Sequence, residues 1–237
     1  MAYDGTAYYG FQRQRKGQPT IQSKLEQALS RIVQKDVTIV AAGRTDRGVH
    51  AQGQVICFTV VWQREAALLQ RAINANLPDD IAILQCETCS PNFHPRFDAR
   101  QRGYVYRVFN HSVRNPLYRL NSWHVKKPLD VVQMDLAAQA LVGQHDFATF
   151  GQPPQGTNTV REVFEAGWTV DGDFLLFRIT ANAFLQRMVR SIVGSLKAVG
   201  AGDWSVEDFV EAFQACERGR SAAVCPPQGL SLVSVKY

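Results

Sequence analysis

The chain has 237 residues, of which 46% are hydrophobic and 20% are charged. This length and balance are typical of a globular chain with a substantial core, and they exclude an intrinsically disordered protein. No apolar run is long enough for a membrane helix, and the N-terminus lacks the pattern of a signal peptide, so we expect a cytoplasmic protein. Lysines and arginines number 26 against 21 acidic residues, a net charge of +5. This excess favours a polyanionic partner such as a nucleic acid.

The cysteines do not predict a metal site. They number five, an odd count in a chain without a secretion signal, which favours reduced thiols. Cys86 and Cys89 have the spacing of one half of a zinc site, but the sequence offers no second cysteine or histidine pair to complete four ligands. We therefore expect no metal.

The chain begins with a turn rich in glycine and tyrosine at residues 3–12. Such a turn usually ends a strand, and too few residues precede it to form one, so we expect that a strand has been lost from this start. The aromatic side chains of the turn could stack on bases or line a core, and core packing is the favoured interpretation.

An amphipathic helix is predicted after Pro19, because apolar residues recur with helical spacing as far as Val33 and Thr20 is a suitable N-cap. The alternation of helices and strands that follows favours an α+β fold of split β-α-β units with an antiparallel sheet. The next predicted elements are strands at 37–41 and 54–61, a helix at 68–76 and a strand at 81–84.

The connection between the first two of these strands, residues 41–50, holds one acid, Asp46, among Arg44, Arg47 and His50. A glycine on either side of the acid lets the backbone bend sharply and approach a ligand closely. Because loops held by rigid strands carry many binding and catalytic groups, Asp46 is the first candidate catalytic residue. The alternative is a tight structural connection, in which Asp46 caps its own turn and the arginines are solvated.

The irregular segment 90–99 contains two prolines and is the predicted domain boundary, between an N-terminal half, 1–99, and a C-terminal half, 100–237. The strand 102–109 places Tyr104 and Tyr106 on one face, and such a tyrosine stripe belongs more often to a core than to a binding surface. The remaining predicted elements are a helix at 130–141, a polar-aromatic turn at 143–150, a flexible connection at 151–159, strands at 160–170 and 174–180, a helix at 183–200, a last helix capped by Ser205 and a terminal strand at 230–237.

Four polar residues in this half have two interpretations each. His145 and Asp146 could form an acid–base pair, but adjacent residues do not readily share a proton, so we predict that they bind nearby backbone. The helix 183–200 is apolar around much of its circumference and carries Arg187 and Arg190 one turn apart. Either these arginines are buried and paired, since their charge cannot be shed, or their guanidinium groups reach solvent.

Six segments, taken in order, resemble the motifs of the tRNA pseudouridine synthase A family and span nearly the whole chain. One such segment alone is a weak signal, but six with suitable spacing are highly specific. They are Tyr3-Asp4-Gly5-Thr6, Gly43-Arg44-Thr45-Asp46-x-Gly48-Val49-His50-Ala51, Arg102-x-Tyr104-x-Tyr106, Gly143-x-His145-Asp146-Phe147, Phe184-Leu185-x-x-Met188-Val189-Arg190 and Pro227-x-Gly229-Leu230-x-Leu232.

This resemblance implies a pseudouridine synthase fold, in which two similar α+β halves share an extended antiparallel sheet with a central cleft. It also implies a homodimer that isomerises uridines 38, 39 and 40 in the anticodon arm of tRNA, without metal or organic cofactor. By motif match, Asp46 is the catalytic nucleophile or base and Arg190 forms an ion pair with it. Tyr104 stacks on the flipped base, and Arg44 binds the substrate and helps to extrude the target nucleotide. Arg47 stands where many members have a small residue, and adds a cation beside the cleft.

The chemistry of this reaction suits a site with one carboxylate. The bond from ribose C1′ to N1 of uracil breaks, the base turns, and C1′ is joined to C5. Asp46 must be ionised whether it attacks C1′, adds to C6 or removes a ribose proton, and all three routes stay open. The competing class is a non-catalytic RNA-binding module, which gains nothing from a buried carboxylate that repels phosphate. A hydrolase is disfavoured because no second acid is found at a suitable place.

Overall fold

The computed structural model describes residues 1–14, 17–153 and 156–237. They form an α+β protein with two compact units, one comprising residues 1–100 and 231–237 and the other residues 101–230. The α+β class is as predicted. Of the connection expected to be flexible, 151–159, residues 154 and 155 lie outside the described residues. None of the helices in the described ranges is long and apolar enough to cross a membrane.

The first unit has a four-stranded sheet, a separate two-stranded ribbon and two helices. In the sheet, β1 lies between β5 and β3 and is antiparallel to both, while β11 is parallel to β3. In the ribbon, β2 and β4 are antiparallel. These elements are β1 (Ala2–Tyr3), α1 (Ile21–Val33), β2 (Val40–Ala41), β3 (His50–Ala51), β4 (Ile56–Cys57), α2 (Ala66–Asn74), β5 (Ile81–Ala82) and β11 (Leu230–Lys236).

The first helix begins and ends as its sequence predicts. The hydroxyl of Thr20 accepts a hydrogen bond from the Ser23 backbone N–H at 3.2 Å, and the Ser23 hydroxyl accepts one from Thr20 N–H at 3.1 Å. This reciprocal capping box satisfies two backbone donors that the first turn leaves without partners. Leu25 and Leu29 are fully buried on the apolar face, which fixes the helix against its unit.

The ribbon strands are shorter than predicted, because side chains of α1 replace strand pairing before β2. The backbone N–H of Val37 donates to the Ser30 hydroxyl at 3.2 Å, and that of Ile39 donates to the Glu26 carboxylate at 3.3 Å. Val37 and Ile39 are buried, as their apolar character predicts, but their N–H groups are satisfied without a neighbouring strand. The predicted strand 37–41 is thus reduced to Val40–Ala41.

The second unit has a five-stranded sheet and three helices. The strand order is β7-β6-β10-β9-β8, with antiparallel pairing except between β6 and β7, which are parallel. The three helices contact one another, and the first of them also packs on β9. The elements are β6 (Gln101–Asn110), β7 (Trp123–Val125), α3 (Val131–Gln139), β8 (Gly143–Asp146), β9 (Val160–Asp171), β10 (Phe174–Ala181), α4 (Met188–Gly200) and α5 (Val206–Gln214).

The core of this unit contains the tyrosine stripe. Tyr104, Tyr106 and Val108 are all buried on β6, and Tyr106 lies opposite Phe177 of β10. The stripe is thus buried, as predicted. The hydroxyl of Tyr106 donates to the Pro226 carbonyl at 2.7 Å, so its polar end is satisfied inside the core.

The predicted turn at 143–150 is wrong in its first half, because residues 143–146 form the edge strand β8, paired with β9. The polar sequence of an edge strand lacks the alternation that marks a strand. His145 and Asp146 do bind nearby backbone, as predicted. The ring Nε2 of His145 lies 2.9 Å from the Val142 carbonyl oxygen, and the Asp146 carboxylate accepts from Ala148 N–H at 2.9 Å.

Two further boundaries differ from the sequence prediction. The terminal segment was expected in the C-terminal half, but residues 231–237 belong to the first unit because β11 pairs with β3. Helix α4 was expected from residue 183 and begins at Met188. Arg187, the residue before it, has a left-handed backbone with φ of 63°, which breaks the helical path. The end of α4 at Gly200 is as predicted.

Candidate active site

The loop that carries Asp46 is held at its entrance by residues 54 and 55. The backbone N–H of Ala42 donates to the Val55 carbonyl at 2.9 Å. The side chain of Gln54 is buried and its amide donates to the Gly43 carbonyl at 2.9 Å. Both bonds act on the loop backbone, so they fix its path whatever side chains it carries.

The middle of the loop is held by the N-terminal turn. The carbonyl of Thr45 accepts a hydrogen bond from Phe11 N–H at 3.0 Å, and its hydroxyl lies 2.9 Å from the Tyr3 hydroxyl. Burial raises the pKa of Tyr3 to about 12, so this phenol stays neutral and able to donate. The residue immediately before Asp46 is thereby fixed through both its backbone and its side chain.

Gly10 brings the N-terminal turn against the peptide group of Asp46. Its backbone has φ of +92°, and a Cβ placed on it would lie 2.9 Å from the Thr45 carbonyl oxygen, 3.2 Å from Arg47 N and 3.3 Å from Asp46 C. These separations are too short for a side chain, so glycine is required both for the conformation and for the close approach.

Asp46 itself is half-buried, between the exposed residues Arg44 and Arg47. Its carbonyl accepts from Val49 N–H at 3.1 Å, and Gly48 completes this turn with φ of 76°. The guanidinium of Arg47 lies 4.3 Å from the centre of the Tyr9 ring, a cation–π contact. The loop therefore presents one carboxylate from a backbone that is fixed on both sides.

His50, the remaining polar residue of the loop, has a structural environment. It is buried, and its Nδ1 lies 3.1 Å from Gly5 N and 3.1 Å from an Asp4 carboxylate oxygen. Burial raises the pKa of Asp4, but hydrogen bonds from Thr6 and the charge of His50 outweigh it and hold that pKa below its usual value. His50 thus ties the N-terminal turn to the end of the loop, and the Asp4 carboxylate stays ionised.

In the second unit, Arg190 and Tyr104 are each held by a specific neighbour. Arg190 lies in the first turn of α4, where its Nε donates to the Cys225 carbonyl at 2.9 Å and its carbonyl accepts from Cys225 N–H at 3.2 Å. Tyr104 contacts Phe184 edge to face, with ring centres 5.0 Å apart. Arg187 precedes the helix and is exposed, so the two arginines do not lie one turn apart within the helix as the sequence predicted.

Three supporting residues were not recognised from the sequence, namely Gly10, Gln54 and Cys225. Gly10 and Cys225 lie in or beside segments that resemble family motifs, and those motifs were the signal that could have marked them. Gln54 carries no such signal, because a glutamine at the start of a strand is usually exposed. Burial raises the pKa of the Cys225 thiol to about 12, which leaves it neutral beside Arg190.

Of the two cysteines noted for their spacing, Cys89 has its sulfur 3.8 Å from that of Cys57. Over the described ranges, three or more His, Cys, Asp or Glu side chains nowhere converge as metal ligands do.

Comparison with known proteins identifies the family. Residues 1–98 and 137–237 match the tRNA pseudouridine synthase family. The whole chain is 40% identical over 239 residues to tRNA pseudouridine synthase A of Pseudothermotoga lettingae, which it covers to 97%. It is 42% and 41% identical over 238 residues to the proteins of the same name from Klebsiella pneumoniae and Escherichia coli, and covers 88% of each.

The chain belongs to the tRNA pseudouridine synthase family. It is an isomerase that converts uridine to pseudouridine in tRNA. The family, the activity and the tRNA substrate predicted from the six motif segments are confirmed.

Proposed function

We propose that the chain isomerises uridines 38, 39 and 40 in the anticodon arm of tRNA, with Asp46 as its catalytic nucleophile or base. The observation that carries this proposal is the loop around Asp46, whose backbone is fixed by Thr45, Gly10 and Gln54. Relatives about 40% identical over the whole chain bear the name tRNA pseudouridine synthase A, which supports a tRNA substrate, and the anticodon-arm positions rest on the resemblance of the six motif segments.

The reaction needs a single ionised carboxylate in a fixed position. The bond from C1′ to N1 breaks and one from C1′ to C5 forms, while C5 loses a proton and N1 gains one. Atoms and electrons balance without an oxidant or a consumed water. Asp46 fulfils this need on any of the three routes, by attack on C1′, by addition to C6 or by removal of a ribose proton. Its rigid backbone reduces the entropy lost when the reacting atoms meet.

Arg190 is proposed as the counter-ion of Asp46. A guanidinium has five N–H donors, so the bond from Nε to the Cys225 carbonyl fixes its plane and is compatible with a second, charged partner. A cation close to Asp46 would stabilise the negative charge that the reaction needs there. The neutral thiol of Cys225 does not compete for this charge.

Tyr104 and Arg44 are proposed to act on the nucleotide. Extruding a base from a helix costs a few kcal/mol, which stacking on an aromatic ring and a group in the vacated space can offset. The contact with Phe184 holds the Tyr104 ring in one orientation, as a stacking partner requires. Arg44 is exposed on the same loop as Asp46, which suits a side chain that enters the RNA.

The proposal extends to a homodimer that acts in the cytoplasm. The homodimer rests on the resemblance of the six motif segments, and the cytoplasmic location on the tRNA substrate. The net charge of +5 is consistent with a polyanionic partner.

The test replaces Asp46 by asparagine and measures tritium release from 5-labelled uridine. Transcripts carry uridine at only one of positions 38, 39 and 40. We expect release from each transcript with the unmodified protein, and none above background with Asp46→Asn, whose tRNA affinity and melting temperature stay close to those of the unmodified protein. Asp36→Asn, at an exposed aspartate, is the matched control. Substantial release by Asp46→Asn would refute the role of Asp46, and release confined to other uridines would refute the proposed positions.

A further inference from the structure

Two arginines of the second unit, Arg187 and Arg218, are each hydrogen-bonded to Ser191 of α4, the first through its backbone carbonyl and the second through its guanidinium group. The Nη1 of Arg218 donates to the Ser191 hydroxyl at 3.1 Å and to the Thr149 carbonyl at 3.0 Å. Ser191 N–H in turn donates to the Arg187 carbonyl at 2.9 Å. The side chain of Arg218 is therefore fixed beside the backbone of Arg187, whose own side chain is exposed.

Among the residues that the structure describes, no carboxylate neutralises the charges of this pair. Burial and then the positive charge of Arg187 lower the pKa of Arg218. In the part of the chain that the structure describes, neither forms an ion pair with a carboxylate. Two other cations of this unit are ion-paired, Lys197 with Asp203 at 3.3 Å and Arg220 with Glu211 at 2.8 Å.

We propose that Arg187 and Arg218 form a binding site for the phosphate backbone of the tRNA substrate. A phosphate would relieve the repulsion between the two guanidinium groups, and the planar fork of arginine matches its oxygens. Arg218 is already fixed by Thr149 and Ser191, so it loses little side-chain entropy when an anion binds. Arg187 is three residues before Arg190, so the site is close in the sequence to a proposed catalytic group. The inference rests on the proposed function only in taking tRNA as the ligand.

The test is the salt dependence of binding to an unmodified tRNA transcript. Each phosphate contact contributes about 0.7 to 1 to the slope of log K against log salt concentration, so Arg187→Ala should reduce that slope by about this amount. Affinity should fall by a similar factor for different tRNA sequences, because a phosphate contact does not read the bases. Arg187→Lys keeps the charge and should restore the slope. Arg220→Ala is the control, because the charge it removes is paired with Glu211.

A slope for Arg187→Ala equal to that of the unmodified protein would overturn the proposal, as would a lysine variant with the slope of the alanine variant. The double variant Arg187→Ala with Arg218→Gln should reduce the slope further than Arg187→Ala alone. If it loses no more, Arg218 is not part of the site. Melting temperatures confirm that the compared variants are folded. An unmodified protein that binds this tRNA but releases no tritium would refute the proposed uridine positions and leave the phosphate site standing.

Discussion

Replacing Gly10 by alanine should displace the loop that carries Asp46 without removing any polar group. A Cβ at this position would lie 2.9 Å from the Thr45 carbonyl oxygen, whereas ordinary contacts begin at 3.4 Å. The loop must therefore move by about 0.5 Å, the difference between these two distances. Since a misplacement of about 1 Å can cost roughly a hundredfold in rate, we expect a loss of about tenfold in kcat.

The same substitution carries a conformational cost that is separate from the contact. An alanine at the φ of +92° found for Gly10 costs about 1 to 2 kcal/mol, because an L-residue is strained there. For a chain of this size, that cost lowers the melting temperature by about 2 to 8 °C. Stability and activity should therefore both fall, and a control is needed to separate them.

Gly172 provides this control. It lies in the turn between β9 and β10 with φ of +57°, and a Cβ there would meet nothing within 4 Å. Gly172→Ala should lower the melting temperature comparably and leave kcat unchanged. The assay is tritium release at saturating tRNA, with thermal melting in parallel. Full activity of Gly10→Ala would refute the argument that this contact positions Asp46, and so would an equal loss in Gly172→Ala.

Two further substitutions test the charged groups. Arg190→Ala should lower the melting temperature, because it removes the donor to the Cys225 carbonyl, a hydrogen bond worth about 1 kcal/mol. It should also lower kcat, because it removes the proposed counter-ion of Asp46. Unchanged melting and turnover would exclude both roles. For Asp4, whose pKa is held below its usual value, the contribution to stability is present above the unfolded pKa of about 3.9 and is lost as the pH falls through the folded pKa. Asp4→Asn should therefore be slightly less stable than the unmodified protein at pH 7, the difference being small because Asp4 is half-exposed, and pH-dependent melting should show the two converge in acid. A difference that persists at acid pH would contradict this assignment.

Elements with strong local signals could be predicted from the sequence. Helix α1 begins after Thr20, and α5 begins after Ser205 with a capping box that Asp208 completes. The hairpin of β9 and β10 turns at Gly172, where the sequence predicts it. In each case the residues that decide the structure are neighbours along the chain, so a pattern over a few residues contains the information.

Elements that depend on distant partners could not be predicted in this way. The length of β2 depends on Glu26 and Ser30, which take the N–H groups that a longer strand would have paired. The edge strand β8 exists because β9 pairs with it, although its own residues are polar. The place of β11 depends on β3, which precedes it by about 180 residues in the sequence and is therefore invisible to any local pattern.

The same distinction between local and distant information applies to the residues of the candidate site. Asp46, Arg190 and Tyr104 could be predicted as site residues from their motifs, because the residue type itself determines the chemistry proposed for them. The residues that hold them in place could not be predicted in this way, because Gly10 acts through the absence of a side chain and Cys225 acts through its carbonyl. A carbonyl is common to all residues, so its role is determined by position alone.

Substitutions at residues that act through their backbone should differ in effect from substitutions at residues that act through their side chains. Thr45 and Arg190 are each held through a backbone group, the Phe11 N–H in one case and the Cys225 carbonyl in the other. A change of side chain at Phe11 or Cys225 keeps that backbone group, so its effect should follow how far the backbone moves. Tolerance at these positions should therefore depend on volume more than on polarity, since both side chains are almost fully buried in close-packed surroundings. The side chains proposed for catalysis are thus few, and their placement depends on backbone contacts that residue type does not reveal.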